Sequence, residues 1–219
     1  MNGFSNTSLN RKIAIGILNH IIEKMLECFV LMRQDCEQNS IKIANNEISI
    51  RDYLFCNYLN NDAVMRAIGF DDFMFIPEVP ENYVNGRPIG RADLQVFSSE
   101  RFHHRERYFI IECKRVDGNL TLDREYIDEG IRRFTGRSPK YTSYYKVNGM
   151  LGFVIKEFDT NQNIDRINQL LKGDYSDIHV QDYLHVGSIP NTYISSHGEA
   201  DNERITLIHV FPNCVSLLS

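Results

Sequence analysis

Apolar residues recur at helical spacing over residues 11–34, where Ile15, Leu18, Ile22, Met25 and Phe29 share one face and Ile17, Ile21, Leu26 and Met32 widen it. The pattern predicts a long helix whose apolar face is broader than one neighbouring helix requires. It is either a core helix covered on two sides or a surface for self-association or a partner. A polar connection follows over residues 35–46, interrupted only by Ile41-Lys42-Ile43. A second helical pattern runs over residues 47–59, with Ile48, Ile50, Leu54, Phe55 and Tyr58, and a helix or turn follows over 62–68.

The period then changes to that of strands, over residues 73–79, 92–97 and 108–114. A helix over 123–134, with Tyr126, Ile127, Gly130, Ile131 and Phe134 as its apolar stripe, precedes a strand over 149–155. A helix over 161–172, a strand or loop over 178–186 and a last strand over 204–211 complete the chain. This order predicts an α/β fold with a mixed central sheet of four to five strands flanked by helices. Residues 1–46 read as an N-terminal helical extension and 47–219 as the main domain.

Chemistry-bearing residues stand on adjoining segments of this pattern. One apolar stretch carries Asp93 in Gly90-Arg91-Ala92-Asp93-Leu94, and the next closes on Glu112-Cys113-Lys114. As neighbouring strands joined through residues 98–107, they bring two carboxylates and a lysine to one end of the sheet. Strand alternation sends Glu112 and Lys114 to the same face and Cys113 to the other, leaving the Cys113 backbone carbonyl at the site. Phosphodiester hydrolysis calls for a hard cation held by oxygen ligands, and a lysine beside it can orient the water, favour its ionisation or stabilise phosphoryl charge. The plainer alternatives are an Asp93 paired with Arg91 and a solvated Glu112–Lys114 pair on an edge strand.

Asp93, Glu112 and Lys114, preceded by Gly86 to Gly90 and followed by a helix-like segment, resemble the PD-(D/E)XK, or restriction-endonuclease-like, nuclease superfamily. Ala92 stands where the nominal proline of that motif would be. The order helix, three-stranded meander, helix, strand is also similar to that superfamily's common core. The resemblance implies that Asp93, Glu112 and the Cys113 carbonyl hold Mg2+, with Mn2+ an alternative, while Lys114 assists the nucleophilic water. It further implies an acid on the helix before the sheet, for which Glu47 is the candidate, the alternative being an acid that stabilises the helix N-terminus. It also implies a contribution from the helix after the lysine, where Arg132, Arg133 and Tyr126 are candidates. Glu78 reads as either facing the same cleft or forming a salt bridge. The loop that follows carries Arg137, Lys140 and Tyr141, residue types that grip phosphates and stack on bases.

Composition narrows the picture. The 219 residues are 42% hydrophobic and 11% aromatic, enough to build a folded core rather than a disordered chain. The net charge of −5 argues against nucleic-acid binding over the whole surface, while basic residues gather over 101–107 and 124–140. Five cysteines without a CxxC pair suggest neither a zinc knuckle nor a disulfide framework and fit a reducing, cytoplasmic setting. No signal peptide, membrane-spanning segment or Walker-type phosphate loop is visible. His197 and His209 read as a pair satisfying buried polar groups.

The expectation is therefore a cytoplasmic, Mg2+-dependent nuclease, an endodeoxyribonuclease in preference to a ribonuclease. The resemblance implies an effector in restriction, repair or antiviral defence, acting with a partner protein or as a homo-oligomer through the N-terminal helix. The alternative is a catalytically inactive nuclease-fold subunit that binds or scaffolds.

Overall fold

A computed structural model describes residues 7–98, 107–135, 138–141, 143–199 and 204–219. A seven-stranded mixed sheet of order β1-β2-β3-β4-β7-β6-β5 divides the chain into three layers. Its strands are β1 (Phe73–Val84), β2 (Arg87–Ser98), β3 (Phe109–Val116), β4 (Val147–Val154), β5 (Val180–Val186), β6 (Thr192–His197) and β7 (Ile205–Val210). β3, β4 and β7 run parallel, and the outer pairs are antiparallel. The helices are α1 (Thr7–Asn39), α2 (Glu47–Leu54), α3 (Asp62–Ala67), α4 (Leu120–Tyr126), α5 (Arg132–Phe134) and α6 (Thr160–Gly173).

The α/β class and the flanking helices agree with the sequence pattern, but the sheet has seven strands where four to five were expected. One extra strand is β6, Thr192-Tyr193-Ile194-Ser195-Ser196-His197, of which all but Ile194 are buried. Its polar residues hid it from a search for apolar alternation. They are tolerated inside because they bond to one another and to neighbouring strands. Ser195 Oγ lies 2.8 Å from Nε2 of both His197 and His209, and Ser196 Oγ donates to Asp182 at 2.7 Å. Burial pushes the His197 ring down to about 3 and His209 well below its ordinary range, so both are neutral partners in this chain.

The second difference is the length of β1 and β2. Both run past the expected 73–79 and 92–97 to form a hairpin closed by Asn85-Gly86, with φ of 52° and 76°. Asn-Gly is the pair that a two-residue hairpin turn with two positive φ angles favours, and Val84 pairs with Arg87 across it. The helix expected over 123–134 is also modified. It begins at Leu120 and contains a π-helical turn, Ile127–Ile131, between α4 and α5. A similar turn, Phe55–Leu59, continues α2.

Alternation along β3 assigns the two cores. Phe109, Ile111 and Cys113 face the side covered by α1, α2 and α3, whereas Ile110 and Val116 face α4 and α6. α1 lays Leu18, Ile21, Ile22, Met25, Phe29 and Met32 into the first core beside Leu151 and Phe153 of β4. The breadth of its apolar face is thus used within the chain, and among its described side chains Ile13 and Val30 are the exposed large apolar ones. No helix among the described residues is long and apolar enough to cross a membrane.

This packing makes α1 part of the stabilising core. Ile21, fully buried, sits on its inward face, while Ile13 is 51% exposed. Ile21→Ala is expected to lower unfolding free energy by about 2–5 kcal/mol, against about 0.5 kcal/mol or less for Ile13→Ala. Denaturant unfolding of the two variants measures both, and equal small losses would show that α1 adds little to the fold.

Candidate active site

The site forms where β2 and β3 part. Their ladder pairs Leu94 with Ile111, Gln95 with Ile110 and Val96 with Phe109. Just beyond it, the Asp93 side chain takes over from the backbone, and its Oδ2 accepts from the Cys113 amide at 2.8 Å. That bond satisfies a buried N–H left by the diverging strands and fixes Asp93 beside Glu112 and Lys114.

α2 closes the site from the other side. Asn46 caps it by accepting from the Ser49 amide at 2.8 Å. Glu47 and Arg51, one helical turn apart, then reach the sheet together. Glu47 Oε1 accepts from Lys114 Nζ at 3.0 Å, and Arg51 Nη1 donates to Asp93 Oδ1 at 2.8 Å. Arg51 is 3% exposed and also grips Asp52 and Glu78. Glu78 therefore takes the salt-bridge role, with Arg91 as its second partner at 3.5 Å.

From the opposite face come α5 and residues 138–141. Glu112 is fully buried. Its Oε2 lies 2.6 Å from the Tyr141 hydroxyl, whose one proton it shares with the Arg91 carbonyl at 2.8 Å, while Arg133 donates to that hydroxyl at 2.7 Å. Glu112 Oε1 lies 3.0 Å from Lys114 Nζ and 3.1 Å from Arg133 Nη1. Neither approach has hydrogen-bond geometry, so this oxygen is flanked by two cations without a directed bond. Gly130, in the π-helical turn, packs against the Met150 side chain and the Lys114 stem. A Cβ at Gly130 would lie 2.5 Å from Met150 Cε and 3.5 Å from Lys114 Cγ.

The result is a line of alternating charge, Glu47, Lys114, Glu112, Arg133, Glu129, with Asp93 and Arg51 beside it. Burial raises the Glu112 carboxyl to about 8, assisted by the Asp93 charge and opposed by Lys114, Arg133 and the Tyr141 hydrogen bond. Glu47 is also raised by burial, partly offset by Lys114. Burial works against the Lys114 ammonium, but the carboxylates of Glu112, Glu47 and Asp93 outweigh it and hold the group well above its ordinary range. Lys114 is therefore a firmly protonated donor. It also donates to the Cys113 carbonyl at 2.6 Å. The Cys113 thiol lies in the other core, pushed far up by burial, and takes no part.

Of the residues singled out from sequence, the fold brings together Asp93, Glu112, Cys113 through its carbonyl, Lys114, Glu47, Arg133 and Tyr141. Lys140 stands at the margin, with Nζ 3.6 Å from Glu129. Arg132 turns away to Asp128, Asp177 and the ring of Tyr175. Tyr126 is buried against His209, whose Nδ1 lies 2.8 Å from its hydroxyl. Arg137 lies outside the described residues, as do residues 101–106 of one basic cluster. Arg51 was missed, although its position four residues after Glu47 placed it on the same helical face.

Two carboxylates and one carbonyl are hard oxygen donors of the kind magnesium takes while keeping several waters. Among the described residues, no three His, Cys, Asp or Glu side chains group as a metal site, so any ion would rest on the mixed set of side chains and backbone. A cavity of about 250 Å³ opens beside the cluster, lined by Pro88, Ile89, Gly90, Arg91, Arg133 and Lys140. A larger one, about 400 Å³, lies away from it by His179 and His197. Comparison with family models, curated proteins and solved structures gives no match.

The raised Glu112 carboxyl makes stability depend on pH. Folded Glu112 keeps its proton up to about pH 8, whereas the unfolded side chain loses it near 4.5. The unfolded state thus binds fewer protons between those values, and stability falls as pH rises through that window. In chelating buffer, the parent is expected to lose stability relative to Glu112→Gln from about pH 5 to about pH 8. A difference that stays flat across denaturant titrations in this range would refute the assignment.

Proposed function

We propose that the chain is a metal-dependent phosphodiesterase acting on nucleic acid, DNA in preference to RNA, with a core of the restriction-endonuclease-like kind. The observation that carries the reading is the meeting of Asp93, Glu112, the Cys113 carbonyl and Lys114 where β2 and β3 diverge. A magnesium ion would be held by Asp93, Glu112 and the Cys113 carbonyl, and when bound would supply positive charge to the phosphoryl oxygens and lower the pKa of a water.

The chain's own groups divide the remaining work. Lys114, held protonated by its acid neighbours, acts as a donor that orients the water or stabilises charge on phosphorus-bound oxygen. Glu47 fixes that ammonium from α2. Arg133 and Tyr141 hold the Glu112 carboxylate from the opposite layer, and Arg133 places a guanidinium within reach of a phosphate in the adjoining cavity. Arg51 sets the direction of Asp93. A role in restriction, repair or antiviral defence, with a protein partner or a second copy, follows from the resemblance alone.

The test is incubation of the purified chain with plasmid, linear duplex, single-stranded DNA and RNA, each with magnesium, manganese or chelator. Cleavage is expected with metal and not with chelator. Asp93→Asn and Lys114→Ala should each lower its rate by at least about 10²-fold. Unchanged cleavage in these variants would remove the assigned roles. An absence of cleavage throughout would favour the non-catalytic binding subunit.

A further inference from the structure

The outer part of the β1–β2 hairpin belongs to no core. β3 pairs with β2 over Leu94 to Val96, and beyond the buried Ala92 and Glu81 the pairs Tyr83–Pro88 and Val84–Arg87 form the end of a two-stranded ribbon outside the sheet. All of residues 83–89 are exposed, including Tyr83 at 63%, Val84 at 53% and Ile89 at 42%. Three large apolar side chains at the tip of a ribbon are a contact surface rather than core.

Charge indicates what they contact. The ribbon's two acids are tied inward, Glu78 to Arg51 and Glu81 to Gln95 and Tyr108. Of its two arginines, Arg87 is exposed with no ion-pair partner among the described residues, while the Arg91 side chain is 57% exposed and reaches Glu78 at 3.5 Å. At the ribbon's base, Arg91 meets Arg133 and Lys140 around the 250 Å³ cavity, continuing the basic surface to the acidic site. Edge pairing with a second copy is opposed by β1 itself. Pro77 and Pro80 lie in this edge strand, and Glu78 and Asn82 have φ of 56° and 46°, all of which interrupt a regular ladder.

Resting on the proposed phosphodiesterase, we propose that this ribbon is a duplex-DNA arm, with residues 83–89 entering the major groove and Arg87 and Arg91 on the flanking phosphates. A two-stranded ribbon fits the roughly 12 Å major groove of B-form DNA, whereas A-form RNA has a deep, narrow one that side chains do not read. The arm is joined to the site through residues 138–141. Asn82 donates to the Pro139 carbonyl at 3.3 Å, and a Cβ at Gly90 would stand 2.7 Å from the Lys140 carbonyl. Tyr141, in the same segment, holds Glu112. Ribbon and site therefore address the same duplex.

The test is fluorescence anisotropy of the full chain, in chelator so that nothing is cut, with a short DNA duplex and an RNA duplex of the same sequence. The DNA duplex is expected to bind at least about tenfold more tightly than the RNA duplex. Arg87→Glu should raise the DNA Kd at least about tenfold, and Arg87→Ala should reduce the salt slope by about 1, with thermal melting unchanged in both. Equal affinity for the two duplexes would overturn the arm. So would ribbon variants that bind like the parent, or that dissociate a dimer without weakening DNA binding. Ribbon-dependent binding with no cleavage under any metal would remove the hydrolase and leave the arm standing. Cleavage with unchanged KM in the ribbon variants would do the reverse.

Discussion

Glu112 is a carboxyl group with no solvent exposure in the middle layer of the protein, and such a group can ionise there only if its surroundings replace water. The replacement is drawn from every layer. Lys114 comes from the same strand, Arg133 from α5 and Tyr141 from the segment after it, while Glu47 of α2 holds the far side of Lys114. Each of these must be in place for Glu112 to stay buried, so the requirement ties both helical layers to one end of β3. Removing one partner of a buried pair typically costs about 3–5 kcal/mol. The raised carboxyl shows that the compensation is incomplete. A carboxyl group buried with such incomplete compensation stays protonated until further positive charge is brought to it.

Much of this was legible in the residues because strand geometry is strict. The period of two sent Glu112 and Lys114 to one face and Cys113 to the other, as the two cores confirm. The helical period exposed the inward face of α1 and the start of α2. Arg51 was less visible because a buried arginine carries no apolar signature. Besides the adjacent Asp52, its partners are Asp93 and Glu78, 42 and 27 residues away. β6 was hidden for the same reason, since Ser195 and His197 bond to each other and Ser196 to Asp182, bonds that a one-dimensional pattern does not display. Arg132 and Arg133 are adjacent in sequence yet point to different partners, because neighbouring residues on a helix diverge by about 100°. Which of the two faces the site depends on how the π-helical turn before them rotates α5, a feature with no local sequence signal.

The overall charge of −5 is the second place where a sum conceals the arrangement. Several acids near the site are spent within the chain: Glu78 and Asp93 on Arg51, Glu47 on Lys114 and Glu129 on Arg133. Once paired, they add little to the field outside, whereas the side chains of Arg91 and Lys140 are 57% and 43% exposed at the adjoining cavity. Both cations also pair with these acids, Arg91 with Glu78 at 3.5 Å and Lys140 with Glu129 at 3.6 Å, so a polyanion approaching that cavity competes for them with the chain's own carboxylates. Electrostatic attraction over a short patch is compatible with an acidic chain, because screening confines such interactions to roughly 8 Å at physiological salt.

The segment over 138–141 joins these considerations. Its Tyr141 hydroxyl bonds to the buried carboxylate and to the Arg91 carbonyl, its Pro139 carbonyl accepts from Asn82, and the Lys140 carbonyl crowds Gly90. A change in the position of the ribbon must therefore move either this segment or its grip on Glu112. Tyr141 is nearly fully buried, and its hydroxyl is shared by three partners, so it has little freedom to follow the ribbon without giving up a bond to the acid. The position of the ribbon is thus mechanically connected to the orientation of the Glu112 side chain.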